Sequence, residues 1–142
     1  MTRDMIDDER RAFLLHGTRT GILSTVRADG RPHAAPVWFT LDGDDVVFMT
    51  GAGTVKGRNL QRTGRAVLTV DRPEPPFDFV TVDGAVEISE DLDVMLGWST
   101  VIGGRYMGAE QAEAFGRRNA VPGELLVRLV PDKIIARAAI AD

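Results

Sequence analysis

The strongest constraint on this chain is a period-two alternation that Asp-Gly turns cut into short lengths. Ile22, Ser24 and Val26 alternate with Leu23, Thr25 and Arg27, the spacing of a strand rather than a helix. Ala28-Asp29-Gly30-Arg31 follows, and its glycine supplies the positive φ that a tight hairpin needs. A second strand is expected over about 33–41, carrying Val37, Trp38, Phe39 and Leu41. Pro36 has no amide hydrogen to give to a ladder, so that stretch belongs at a sheet edge or bulge. Asp42-Gly43-Asp44 turns the chain again into Val46-Val47-Phe48-Met49. Three short strands in succession, joined by tight turns, predict an antiparallel meander.

The remaining elements extend this pattern. Asp7, Asp8 and Glu9 suit the positive end of a short helix over about 7–16, and Gly17 is its stop. Thr50-Gly51-Ala52-Gly53 is a loop leading to a helix that Thr54 caps and Gly64 ends. A strand at 65–71 and the stiff loop Arg72-Pro73-Glu74-Pro75-Pro76 come next. Val80, Val82, Val86 and Ile88 then share one face of a longer strand whose period runs through Gly84. Asp91 caps a helix containing Leu92, Met95, Leu96 and Val101, a second short helix covers 110–119, and 125–130 is the last clear strand. About six mainly antiparallel strands with three or four helices give an α+β or barrel-like pattern within one domain, 1–142.

Composition excludes several chemistries. With no cysteine there is no disulfide, thiolate metal site or cysteine nucleophile, and the two histidines, His16 and His33, cannot build a histidine-rich metal centre. No metal site is expected. A net charge of −4 argues against a nucleic-acid partner, and no apolar run is long enough for a membrane helix. The acidic start lacks the apolar stretch of a signal peptide, so a cytoplasmic protein is expected.

The net charge hides a division. Residues 54–72 carry Lys56, Arg58, Arg62, Arg65 and Arg72 against Asp71, a net +4, whereas 73–104 hold seven acids and no base. The glycine-rich stretch at 51–57 fits neither the Walker pattern nor the dinucleotide fingerprint, because Lys56 is followed by Gly57-Arg58 and stands where a third glycine belongs. It delivers Thr50, Thr54 and Lys56 to a helix start, where amides, hydroxyls and an ammonium converge as phosphate requires. A solvated loop and a phosphate site are the two readings of this segment.

The order of motifs favours the phosphate site. Gly21 to His33, then Pro36-Val37-Trp38-Phe39, Met49-Thr50, Lys56-Gly57-Arg58-Asn59-Leu60 and Arg65-Ala66-Val67-Leu68 resemble the split β-barrel oxidoreductases related to pyridoxamine 5′-phosphate oxidase. Arg105-Tyr106-Met107-Gly108 and the run from Arg117 to Glu124 also fit the branch that uses the deazaflavin coenzyme F420.

The resemblance implies a six-stranded antiparallel split barrel with peripheral helices, paired as a homodimer with two cofactor sites at the interface. It places His33, Ala34, Ala35, Pro36 and Val37 along the tricyclic ring, and Thr50, Thr54, Lys56, Arg58 and Asn59 at the phosphate end. The oxidases carry an Arg-Lys pair where Val55 precedes Lys56 here, which favours F420 over FMN as the cofactor. Arg62 or Arg105 would reach a glutamate tail. The implied function is an F420H2-dependent reductase acting on an electron-poor conjugated small molecule, such as an enone, lactone or quinone. The alternatives are a flavin-type carrier or sensor, and an FMN enzyme of the same fold. No proton donor stands out. Trp38 and Trp98 read as packing residues or as walls of an acceptor pocket.

Overall fold

In a computed structural model describing residues 1–142, each Asp-Gly turn falls where the alternation breaks. β1 is a two-residue strand, Arg3–Asp4, followed by α1, Asp7–Leu15. β2 (Gly21–Val26) and β3 (Pro32–Val37) form the first hairpin, with Gly30 at φ 88°. β4 (Phe39–Asp42) and β5 (Asp45–Gly51) form the second. α2 (Val55–Thr63) leads to β6 (Arg65–Asp71) and β7 (Phe79–Ser89). α3 (Leu92–Met107) and α4 (Ala112–Asn119) then precede the long β8, Glu124–Ala138.

All pairings are antiparallel, in the order β3-β2-β6-β7-β8-β5-β4, with β1 added beside β8. The two edges of this sheet, β3 and β4, are separated in the chain by Trp38 alone. Laid flat, seven strands at about 4.8 Å spacing would hold those edges roughly 29 Å apart. Val37 and Phe39 lie within about 7 Å of one another by chain geometry. The sheet therefore curls until its ends meet, giving an α+β fold around a half-barrel.

The strand count is eight rather than the expected six. The strand expected over 33–41 breaks at Trp38: its first half pairs back with β2 and its second half forward with β5. Arg3–Asp4 adds a strand that carries no periodic signal, being two residues long. The last strand also runs past Val130 to Ala138, because Pro131 and Asp132 sit at a bulge opposite Asp83 and Gly84. A ladder hydrogen bond is already interrupted there, so proline's missing N–H costs little. Gly84 itself admits no side chain, since a Cβ would stand 1.9 Å from the Val130 carbonyl oxygen.

The inside of the curl is apolar. Leu23, Phe39, Phe48, Leu68, Val80, Val127 and Leu129 are fully buried there, and Leu60 of α2 and Leu14 of α1 close the ends. The opposite face of β2, β3 and β6 is uncharged at its centre: Ile22 pairs with Pro36, Ser24 with Ala34, and Ser24 and Ile22 with Val67 and Thr69. Ile22 and Val26 are about half exposed on it.

α1 is pinned at both ends by arginines. Arg10, buried, donates to Asp44 at 2.7 Å and to Asp7 at 2.9 Å, and Arg11 Nε donates to Asp44 at 2.9 Å. Arg105 of α3 donates to the carbonyls of Leu14, Gly17 and Phe39 at 2.6–3.1 Å. Hydrogen bonding to Arg11, and then to Arg10, holds the Asp44 carboxyl below the usual carboxylate range despite its partial burial. A carboxyl depressed in the folded state contributes stability above its unfolded pKa and loses it as pH falls through the folded one. Acidification below about pH 4 is thus expected to loosen the start of α1. Asp44→Asn should cost up to about 1 kcal/mol at neutral pH, because the side chain is 43% exposed and screened. It should also flatten the acid limb of the stability curve, measured by urea unfolding at several pH values. An unchanged acid limb would assign that limb to other carboxylates.

Candidate functional site

The loop Thr50–Thr54 is built from its own hydroxyls. Thr54 Oγ1 accepts from the Gly57 amide at 3.0 Å, capping α2, and donates to the Gly51 carbonyl at 2.8 Å. Thr50, buried, shares a 3.2 Å hydrogen bond with Thr54. Gly57 is packed so closely that a Cβ would lie 2.1 Å from the Gly51 oxygen, which locks the loop against the first turn of α2. Lys56 sits in that turn with no carboxylate within ion-pair distance.

Lys56 opens onto a cleft of about 300 Å³. Pro36, Val37 and Trp38 of the β3–β4 corner form one wall, and Met49 belongs to β5. Ser99 and Ile102 of α3, Asn119 of α4 and Glu124 of β8 complete the opposite side. Trp38 is set in place by Tyr106, whose ring stacks on it at 4.8 Å and 4°. The Tyr106 hydroxyl donates to the Arg19 carbonyl at 2.7 Å and accepts from the Phe39 amide at 3.2 Å. Burial pushes the Tyr106 phenol up, keeping it a neutral donor. Tyr106→Phe leaves both backbone groups unpaired and is expected to cost about 1–3 kcal/mol in urea denaturation. The ring stack, and with it the Trp38 emission maximum, should persist, whereas a shifted maximum would show that the hydroxyl orients the wall.

The expected site residues fall into two groups. Pro36, Val37 and Lys56 line this cleft, and Thr50 and Thr54 bond to each other in the loop that leads to Lys56. Arg58 and Asn59 line a separate groove on the other side of α2, with Arg27, Arg62 and Asp29. Asn59 is buried, donating to Thr25 Oγ1 at 3.1 Å and accepting from Arg62, so it braces α2 against β2. The strand from His33 to Val37 splits by pleat: Ala34 and Pro36 point outward, while His33, Ala35 and Val37 face the interior. His33 Nδ1 is buried without a partner. Of the two tryptophans, Trp38 lines the cleft, whereas Trp98 lies beneath Arg128 in a separate slot.

Electrostatics narrow the basic segment. Arg65 pairs with Asp132 and Asp83, and Arg72 with Glu74 and Asp78. Arg105 is held by three carbonyls and is not free to reach a ligand tail. Lys56, Arg58 and Arg62 remain without carboxylate partners, though Arg62 donates to the Val26 carbonyl and to Asn59, and Arg27 Nε is buried with no partner. Free cations at the start of a capped helix, beside an open Gly53 with nothing within 4 Å of its absent Cβ, fit a phosphate-bearing ligand. The far wall was not legible in the sequence. Glu124 and Asn119 come to the cleft only because β8 pairs with β5 and α4 packs on α3.

No helix is long and apolar enough to cross a membrane. Residues 6–137 match the family described as pyridoxamine 5′-phosphate oxidase. The chain is 31% identical over 97 residues to an F420H(2)-dependent biliverdin reductase of Mycobacterium tuberculosis, covering 66% of this chain and 67% of that protein. Among solved structures it is similar to a conserved hypothetical protein of M. tuberculosis, Rv2991, with TM-score 0.80 at 24% identity, covering 92% of this chain and 82% of that one. It is also similar to a protein described as an F420 reductase, with TM-score 0.68 at 25% identity, covering 87% and 94% of the two chains. The curled antiparallel sheet, the capped α2 loop and a match running nearly end to end agree: the chain belongs to the pyridoxamine 5′-phosphate oxidase-like split-barrel family.

Proposed function

We propose that this chain is an F420H2-dependent reductase of an electron-poor conjugated small molecule, an enone, lactone or quinone. The observation that carries this reading is the cleft itself, where an unpaired Lys56 at a helix start meets walls of Trp38, Met49 and Ile102. One end suits a phosphate and the other a flat, conjugated ring system. The likeness to an F420H(2)-dependent biliverdin reductase supports the deazaflavin over FMN. When bound, the reduced deazaflavin supplies the hydride. The protein's part is to hold the phosphate at Lys56 and the first-turn amides of α2, which Thr54 caps, set the ring against the β3–β4 corner, and keep water out.

The active form in this reading is a homodimer. The uncharged outer face carrying Ile22, Val26, Ala34, Pro36 and Val67 is the surface a second copy would cover. A small-molecule hydride acceptor is the other partner. Titrating the purified protein with F420 and with FMN, followed by fluorescence, tests the cofactor. Tight FMN binding without F420 binding overturns the reading. Mixing with F420H2 and a panel of enones and quinones separates enzyme from carrier, since a carrier leaves the oxidation rate at its protein-free value. A monomer by sedimentation overturns the shared site.

A further inference from the structure

The first turn of α2 divides two concave surfaces. Lys56 lines the cleft, whereas Val55, one residue earlier, lines a groove of about 420 Å³ on the other side. Three guanidinium groups meet in that groove: Arg27 just past the end of β2, and Arg58 and Arg62 from successive turns of α2. The one acid there, Asp29, is taken by Arg31, which donates to it from its amide at 3.1 Å and from Nε at 2.8 Å. No other carboxylate lines the groove.

These donors are held in place but underused. Asn59, buried, donates to Thr25 Oγ1 at 3.1 Å and accepts from Arg62 Nη2, which also donates to the Val26 carbonyl. Arg62 is fixed through Nη2 alone, so its Nε and Nη1 donors are uncommitted. Arg27 Nε is one of only two buried side-chain polar atoms in the protein with no partner. A buried N–H without an acceptor carries an unrepaid desolvation cost, and arginines four apart on a helix repel. An oxyanion in the groove relieves both, because guanidinium forks match its oxygens in pairs.

We propose that the groove between α2 and the β2–β3 turn is a second anion site, distinct from the Lys56 cleft. Its ligand is a doubly charged oxyanion group, a phosphate monoester or a dicarboxylate, held by Arg27, Arg58 and Arg62. Three cations facing no free carboxylate leave the groove short of negative charge by more than one unit, which favours a dianion over a single carboxylate. The site does not depend on the reductase reading, since it uses neither the cleft nor a redox step.

The test is titration of the full-length protein with inorganic phosphate at constant ionic strength, following the arginine Nε–H signals by heteronuclear NMR. Wild type, Arg58→Ala, Arg27→Lys and Lys56→Ala are compared. The proposal expects saturable shifts in wild type and in Lys56→Ala, with the dissociation constant raised about tenfold in each arginine variant. Urea unfolding gives a second reading. Without phosphate, Arg58→Ala should be at least as stable as wild type, because a like charge is removed, and phosphate should stabilise wild type more than the variant. Shifts that never saturate overturn the proposal, as do shifts kept in both arginine variants and lost in Lys56→Ala. Repeating the titration with F420 present separates the sources of the anion. Unchanged phosphate affinity supports a separate ligand, and competition that still requires Arg27 and Arg58 supports an anionic extension of the molecule in the cleft. Failure to bind F420 would overturn the reductase reading and leave this site standing.

Discussion

Lys56→Ala is expected to weaken binding of the proposed phosphate-bearing cofactor by about 1.5–3 kcal/mol, roughly 10- to 150-fold in Kd, in a fluorescence titration. The size follows from what the ammonium does in the protein. It has no carboxylate partner to satisfy it, so its full charge is available to a ligand. It stands in the first turn of a helix whose cap, Thr54, already uses its hydroxyl on Gly57 and Gly51, so the loop supplies amide dipoles but no second cation. Truncation should therefore remove the principal charge contact without disturbing the loop. Arg58→Ala is the contrasting variant: it is exposed and lines the other groove, so about 0–1 kcal/mol is expected. Equal losses for the two would move the phosphate to the Arg58 side of α2, and no loss at Lys56 would remove it from the cleft.

Gly84→Ala costs about 3 kcal/mol or more of folding stability, read from urea or thermal unfolding. A Cβ there would meet the Val130 oxygen at 1.9 Å, the Val130 carbonyl carbon at 2.8 Å and the Asp132 amide nitrogen at 3.1 Å. All three are backbone atoms, so no rotamer change relieves the clash, and β7 and β8 must separate at their bulge. That pairing is the longest in the sheet and crosses its middle. The same alanine at Gly53, which faces open space, should change stability little. A loss under about 1 kcal/mol at Gly84 would mean that the bulge relaxes freely.

Local signals were readable where a single side chain decides the backbone. Thr54 and Gly64 bracket α2, with Gly64 at φ 66°, and Asp91 caps α3 through the amides of Asp93 and Val94. Pro36 does lie on an edge strand. Where partners are distant in sequence, the pattern was silent or misleading. The apolar run through Val37, Trp38 and Phe39 reads as one strand, yet the first and last of these residues belong to opposite sheet edges. Pro131 reads as an end, because nothing local reveals that Gly84 lies across from it. Arg65 and Arg72 read as part of a phosphate-binding stretch, but acids on other strands and loops hold them. The Lys56 side of the cleft was legible for the same reason as α2, since a loop and a helix start are contiguous in the chain. The Glu124 side depends on a strand pairing and a helix contact that no periodicity encodes.

The join at Trp38 has a consequence for how occupancy of the cleft would register in solution. β3 and β4 lie at opposite ends of the hydrogen-bonded order, so each could exchange its amides independently if the sheet were open. Because Trp38 links them and also walls the cleft, any opening of the seam displaces the ligand's own wall. A ligand that binds only the closed form must then slow exchange at both edges by the same factor, leaving β6 and β7 nearly unchanged. Matched protection of two strands six places apart would mark the seam as one cooperative unit with the site.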